Sequence, residues 1–195
     1  VLAVAEHEFS IAGEDSWGAN PLDLIEFVRL VRRERQRFDH LIVLYHGAAE
    51  FHAPTPQVQR NCRFMIEEGA SAVLVQHPHI LGGWEEYQGG HIIYGQGALV
   101  MDEAIYRDRA SFHEGFLVKL SLEKKSIAGL ELIPFEQSNP APGARKLKAD
   151  QAGVLLRRLA ARSQAIRDHK YVEDEWLQFC RERQHSYMSG LLGHS

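Results

Sequence analysis

A chain of 195 residues with a formal net charge of −4 is long enough for one domain with its own hydrophobic core, and too acidic for a broad nucleic-acid surface. Hydrophobic residues make up 45% and charged residues 25%, the balance of a globular protein. Cys62 and Cys180 are far apart and form no CxxC pair, so a disulfide framework is excluded, and no apolar run approaches the roughly 20 residues that cross a bilayer.

The segment 1–9 reads as a buried strand that turns polar at Glu6, His7 and Glu8. It is not a signal peptide, and a strand at this position needs neighbours, so preceding sequence is expected. Alternation could place both carboxylates on one side of the strand and His7 on the other, which makes Glu8 a candidate for a substrate rim. After a Gly- and Asn-containing loop, Pro21 at a first-turn position predicts a helix with an apolar stripe of Leu22, Ile25, Phe27, Val28, Leu30 and Val31. The basic run 32–37 closes it as a solvated, dipole-compatible end.

Leu41 to Tyr45 is a short apolar run suited to a fully buried strand, and it delivers His46-Gly47. A loop with Glu50, His52 and two prolines leads to a helix over about 57–68, which Gly69 is placed to stop. Ala72 to Val75 forms the next strand and ends in Gln76-His77-Pro78-His79. Strand, helix, strand, helix, strand is an α/β layout, in which ligands sit at the carboxyl ends of the strands.

Beyond Gly82-Gly83 the texture changes to short strands: Trp84 to Tyr87, His91 to Tyr94 and Ala98 to Met101. Phe116 to Leu122 and Ile127 to Pro134 then read as an antiparallel pair. Residues 138–147 read as a linker and 148–195 as helical, leaving 1–137 as the main domain. Cys62 and Cys180 both read as packing residues, and His52, His91 and His113 as surface or turn positions. Trp84 and Tyr87 suit either the core or a wall of the site.

Imidazoles and carboxylates at strand ends are the ligand types that divalent metals use at hydrolytic sites. His77 and His79 lie two apart around a proline, so on an extended segment they share a side, and His46 ends a neighbouring strand. Together the three histidines predict a shared metal site.

Four segments extend this reading: Ala5-Glu6-His7-Glu8-Phe9-Ser10, Tyr45-His46-Gly47-Ala48-Ala49-Glu50-Phe51, Glu68 through His79, and Tyr87 through Asp102. In this order they resemble the CapA family of bacterial capsule and poly-γ-glutamate synthesis proteins, with the HPH block the most specific. The resemblance covers the second half of the family domain. It implies part of a four-layer α-β-β-α sandwich of calcineurin-like metallophosphatase type, followed by a helical C-terminal extension. It also implies a two-metal centre using Mn, Zn or Fe. His46, His77 and His79 correspond to its metal ligands, and His46 and Glu50 are the catalytic candidates, Glu50 orienting His46 or facing substrate. The implied substrate is a phosphoester or an acidic polymer, with no nucleic acid and no membrane segment in this chain.

Two departures are visible. Gln76 replaces the Gly that wider relatives place before the paired histidines, and Ala98 stands where the family has Asn. The Asp and Asn motifs of the family's first half are absent. Two functions therefore remain in view: a metal-dependent hydrolase, or a non-catalytic assembly component of polymer synthesis or export with a degenerate site. The family's N-terminal anchors leave both a cytoplasmic and an envelope-associated location open.

Overall fold

A computed structural model describes residues 1–6, 10–101, 110–137 and 143–192. Five strands form the main sheet: β1 (Leu2–Ala5), β2 (Ile42–His46), β3 (Ala72–Gln76), β4 (Trp84–Tyr87) and β5 (Gly90–Ile93). Their order is β1-β2-β3-β5-β4, with β1, β2, β3 and β5 parallel and β4 antiparallel beside β5. Two helices make the crossovers, α1 (Leu24–Glu34) and α2 (Pro56–Glu67).

Both helices begin on side-chain caps. The Asp23 carboxylate accepts from the Ile25 and Glu26 amides, and the Thr55 hydroxyl accepts from Val58, with Pro56 in the first turn. The start of α1 at Leu24 corrects the expectation from Pro21. Residues 20–22 instead run along β1, where Leu22 N–H donates to the Ala5 carbonyl at 2.7 Å, and Asp23 supplies the cap that proline cannot. Gly69, at φ +113°, ends α2 as expected.

Strand alternation divides the core in two. Val73 and Val75 of β3 join Val43, Tyr45 and Ile92 against Phe27 and Val31 of α1 and Val58, Cys62, Met65 and Ile66 of α2. Leu74 and Ile93 point the other way, onto a second sheet. That sheet is antiparallel: β6 (Glu114–Glu123), β7 (Ser126–Gln137) and β8 (Ala144–Lys146). Phe116, Val118, Leu130 and Leu132 face the main sheet, giving three layers, α-β-β, among the described residues. Residues 144–146, within the expected linker, thus belong to a strand. No strand forms over 98–101, where the chain instead bends.

Two C-terminal helices complete the fold, α3 (Ala149–Ala165) and α4 (His169–Leu192). Leu156 and Leu159 of α3 pack into the second cluster, while Ile166 and Val172 reach the first. Ser163 Oγ accepts from Trp84 N–H at 2.9 Å, and Gln59 Nε2 donates to the Ile166 carbonyl at 2.8 Å. The helical end is therefore tied to the α/β unit by one buried and one part-buried polar contact. No helix among the described residues is long and apolar enough to cross a membrane. Cys62 is fully buried, but Cys180 lies exposed on α4 and is not the packing residue expected.

Candidate metal centre

Parallel register brings three strand ends to one edge: Ala5 lies opposite His46, and His46 opposite Gln76. The chain thereby brings His46, the last residue of β2, and Glu6 and His77, the first residues after β1 and β3, to one edge of the sheet. Gly47 N–H donates to the Gln76 carbonyl at 3.0 Å and Phe51 N–H to the Pro78 carbonyl at 2.8 Å, so the two loops are bonded to each other.

The loop backbones are unusual. Ala48, Phe51, His77 and His79 all have positive φ, with His77 at +105° and His79 at +56°. Left-handed conformations in residues other than glycine cost of order 1–3 kcal/mol each and persist where the surroundings enforce them, often at functional sites.

Glu50, His77 and His79 each offer one ligand atom, and these atoms all lie within 4.8 Å of one another. His46 stands beside this set, its ring centroid 5.2 Å from that of His77, which is itself 5.7 Å from His79. Burial lowers the His79 pKa, His77 lowers it further, and Glu50 opposes the shift. The neutral imidazole so favoured is the form that binds metal. Two nitrogens and a carboxylate oxygen suit Zn, Mn or Fe.

Two clefts meet at His77. The first, about 570 Å³, is lined by Glu6, Glu50, Thr55, His77, Trp176, Phe179 and Arg183 among others. The second, about 440 Å³, has His46, Gln76, His77, His79, Gln96 and Ala98 in its lining. Gln96 Oε1 is buried there with no hydrogen-bond partner among the described residues, an oxygen available to a cation or a polar ligand group. The Ala98 side chain contributes no polar atom.

Glu6 is the site residue that sequence reasoning passed over. Its carboxylate accepts from the Tyr45 hydroxyl at 2.5 Å and from the Ala48 amide at 2.9 Å. Burial and the adjacent Glu6 push the Tyr45 pKa up, so the hydroxyl stays a donor. A Cβ on Gly47 would lie 2.6 Å from the Glu6 carboxylate, so the glycine clears its path. Glu8, the rim candidate, and His7 lie outside the described residues.

His52 also departs from expectation. It is only 7% exposed, packed 5.4 Å from the Trp176 ring and 4.8 Å from the Phe179 ring. Burial, and then the positive charge of Arg162, push its pKa down to about 4. Trp84 and Tyr87 do not wall the site: Trp84 packs in the second cluster, and Tyr87 donates to Glu67 on α2.

The mixed α/β fold with its parallel-rich sheet is consistent with a metallophosphatase-like architecture. Residues 4–103 match the family described as "Bacterial capsule synthesis protein PGA_cap", and the chain belongs to that family. It is 26% identical over 149 residues to the PGA biosynthesis protein CapA of Bacillus subtilis (strain 168), covering 76% of this chain and 38% of the relative. It is 28% identical over 107 residues to the capsule biosynthesis protein CapA of Bacillus anthracis, covering 53% of this chain and 25% of the relative. The chain thus spans well under half the length of either relative.

Proposed function

We propose that this chain carries one side of a divalent-metal centre in a phosphoesterase-like protein of capsule or poly-γ-glutamate biosynthesis. The observation that supports this reading is the convergence of Glu50, His77 and His79 on one point at the carboxyl end of the sheet. His46 stands beside His77, and Gln96 lines the same cleft as His77 and His79. On this reading the two sheets, β8 included, with α1 and α2 make up the metallophosphatase-like unit, and α3 and α4 are its helical extension.

Bound there, a divalent metal would supply Lewis-acid polarisation of a phosphoryl oxygen and lower the pKa of water. His77 and His79 would hold it, with Glu50 as the carboxylate ligand. His46, beside the set, would orient the reacting group and manage a proton at its ring nitrogen. Glu6, fixed by Tyr45 and Ala48, keeps a carboxylate oriented at the cleft wall without competing for the same position.

The test is elemental analysis of the natively purified full-length protein, followed by a panel of phosphoesters with added Mn²⁺ or Zn²⁺. Bound metal, and turnover abolished by His46→Ala, support the hydrolase. Absence of metal from the native protein overturns it.

A second reading, a non-catalytic assembly component, draws on Ala98, which removes a polar side chain from the lining of the second cleft. Metal retained with no turnover on the whole panel, and capsule formation unaffected by His46→Ala, would favour it.

A further inference from the structure

Part of the first cleft is built by α4, which lies wholly outside the residues matched to the family. Trp176, Phe179 and Arg183 follow one another at spacings of three and four, so they line one helix face. Trp176 and Phe179 stack at 5.7 Å with an interplanar angle of 20°, seated on His52. Arg183 is half-buried, its guanidinium carbon 5.0 Å from the centre of the Phe179 ring.

Elsewhere on the molecule Arg29, Arg37, Arg63 and Arg158 each pair with a carboxylate. Among the described residues none pairs with Arg183. Stacking on an aromatic face occupies the plane of a guanidinium and leaves its N–H edge free, and that edge matches the two oxygens of a phosphate or carboxylate. Arg183 lines a cleft that also holds Glu6, Glu50 and His77.

We propose that Arg183 is the oxyanion-binding residue of this cleft. It takes the acidic group of the substrate, phosphate or carboxylate, while Trp176 and Phe179 offer an apolar wall to the atoms next to it. The inference rests on the proposed function for the meaning of the site, but the binding itself requires no metal.

The test is NMR of the metal-free full-length protein, following the Arg183 Nε–H and Trp176 indole N–H signals during titration with inorganic phosphate and, separately, acetate. A saturable shift of both signals is expected. Response to phosphate alone or to acetate alone would identify the oxyanion taken. Read at Trp176, Arg183→Gln should raise the dissociation constant at least tenfold and Arg183→Lys by less, with metal content unchanged in both variants. No saturable shift with either anion, or an equal response at exposed Arg167, overturns the proposal. The two readings fail separately: anion binding in a protein that takes up no metal sinks only the metal centre. Metal uptake with a silent Arg183 sinks only this inference.

Discussion

The hydroxyl of Tyr45, at the core of β2, donates across the strand end to the carboxylate of Glu6 at 2.5 Å. A fully buried aromatic residue thereby sets the position of an acidic group at the mouth of a cleft. Asn61 Nδ2 donates to the same hydroxyl at 3.4 Å, linking α2 to the site. Tyr45→Phe keeps the ring and removes the donor, leaving the Ala48 amide as the remaining donor to the Glu6 carboxylate among the described residues. The expected cost is about 1–3 kcal/mol, read as a lower midpoint in urea unfolding. An unchanged midpoint would mean that water replaces the phenol without loss.

Metal binding should appear as stability. A ligand held only by the folded state at about 100 times its Kd adds about 2.7 kcal/mol, so Zn²⁺ or Mn²⁺ is expected to raise the melting temperature and a chelator to reverse the rise. His77→Ala and His79→Ala should abolish the increment. His46→Ala, just outside the three-atom set, should keep part of it. Differential scanning calorimetry with and without metal makes the comparison, and equal increments in all four proteins would contradict the ligand assignment.

The Glu85 side chain is 5% exposed and is held by Arg63 Nη2 at 2.7 Å and the Tyr94 hydroxyl at 2.7 Å. Removing one partner of a buried pair costs more than the pair contributes, because the remaining charge stays desolvated. Arg63→Ala is expected to destabilise by about 3 kcal/mol, near the low end for such pairs because Tyr94 still donates. Restored stability in Arg63→Ala combined with Glu85→Ala would confirm the cause. If the double variant is no more stable than the single, the loss comes from packing of the Arg63 stem.

Gly97 has φ +80°, and a Cβ there would lie 2.3 Å from the Glu114 carbonyl oxygen. Both the backbone and the contact oppose a side chain, so Gly97→Ala should cost about 2 kcal/mol or more. Because Gly97 sits between Gln96 and Ala98 in the second cleft, the same change should perturb Gln96. Thermal unfolding measures the first effect, and the Gln96 side-chain amide signal reports the second.

The strand ends were readable because short apolar runs stop abruptly at polar residues, and parallel register then fixes which of those residues become neighbours. That reasoning reached the strand ends at His46 and at Gln76-His77-Pro78-His79, and the stop of α2 at Gly69. It missed Glu6 because nothing in the local sequence fixes where its carboxylate turns; a buried tyrosine 39 residues away draws it to the cleft. His52 carries no local mark of burial either. It is covered by Trp176 and Phe179, and the path of α4 back over the loop after β2 depends on long-range packing that periodicity cannot encode. The start of α1 was misplaced for a smaller reason: Pro21 and Asp23 are both good initiators, and bonding of residues 20–22 to β1 decides between them.

The clearance at Gly47 carries an evolutionary consequence. Since any side chain at 47 would occupy the space of the Glu6 carboxylate, the two positions are not free to vary independently across the lineage. A descendant that gains a side chain at 47 must shorten or redirect the acid at 6. Glu6 and Gly47 should therefore covary in an alignment of relatives, although 41 positions separate them in this sequence.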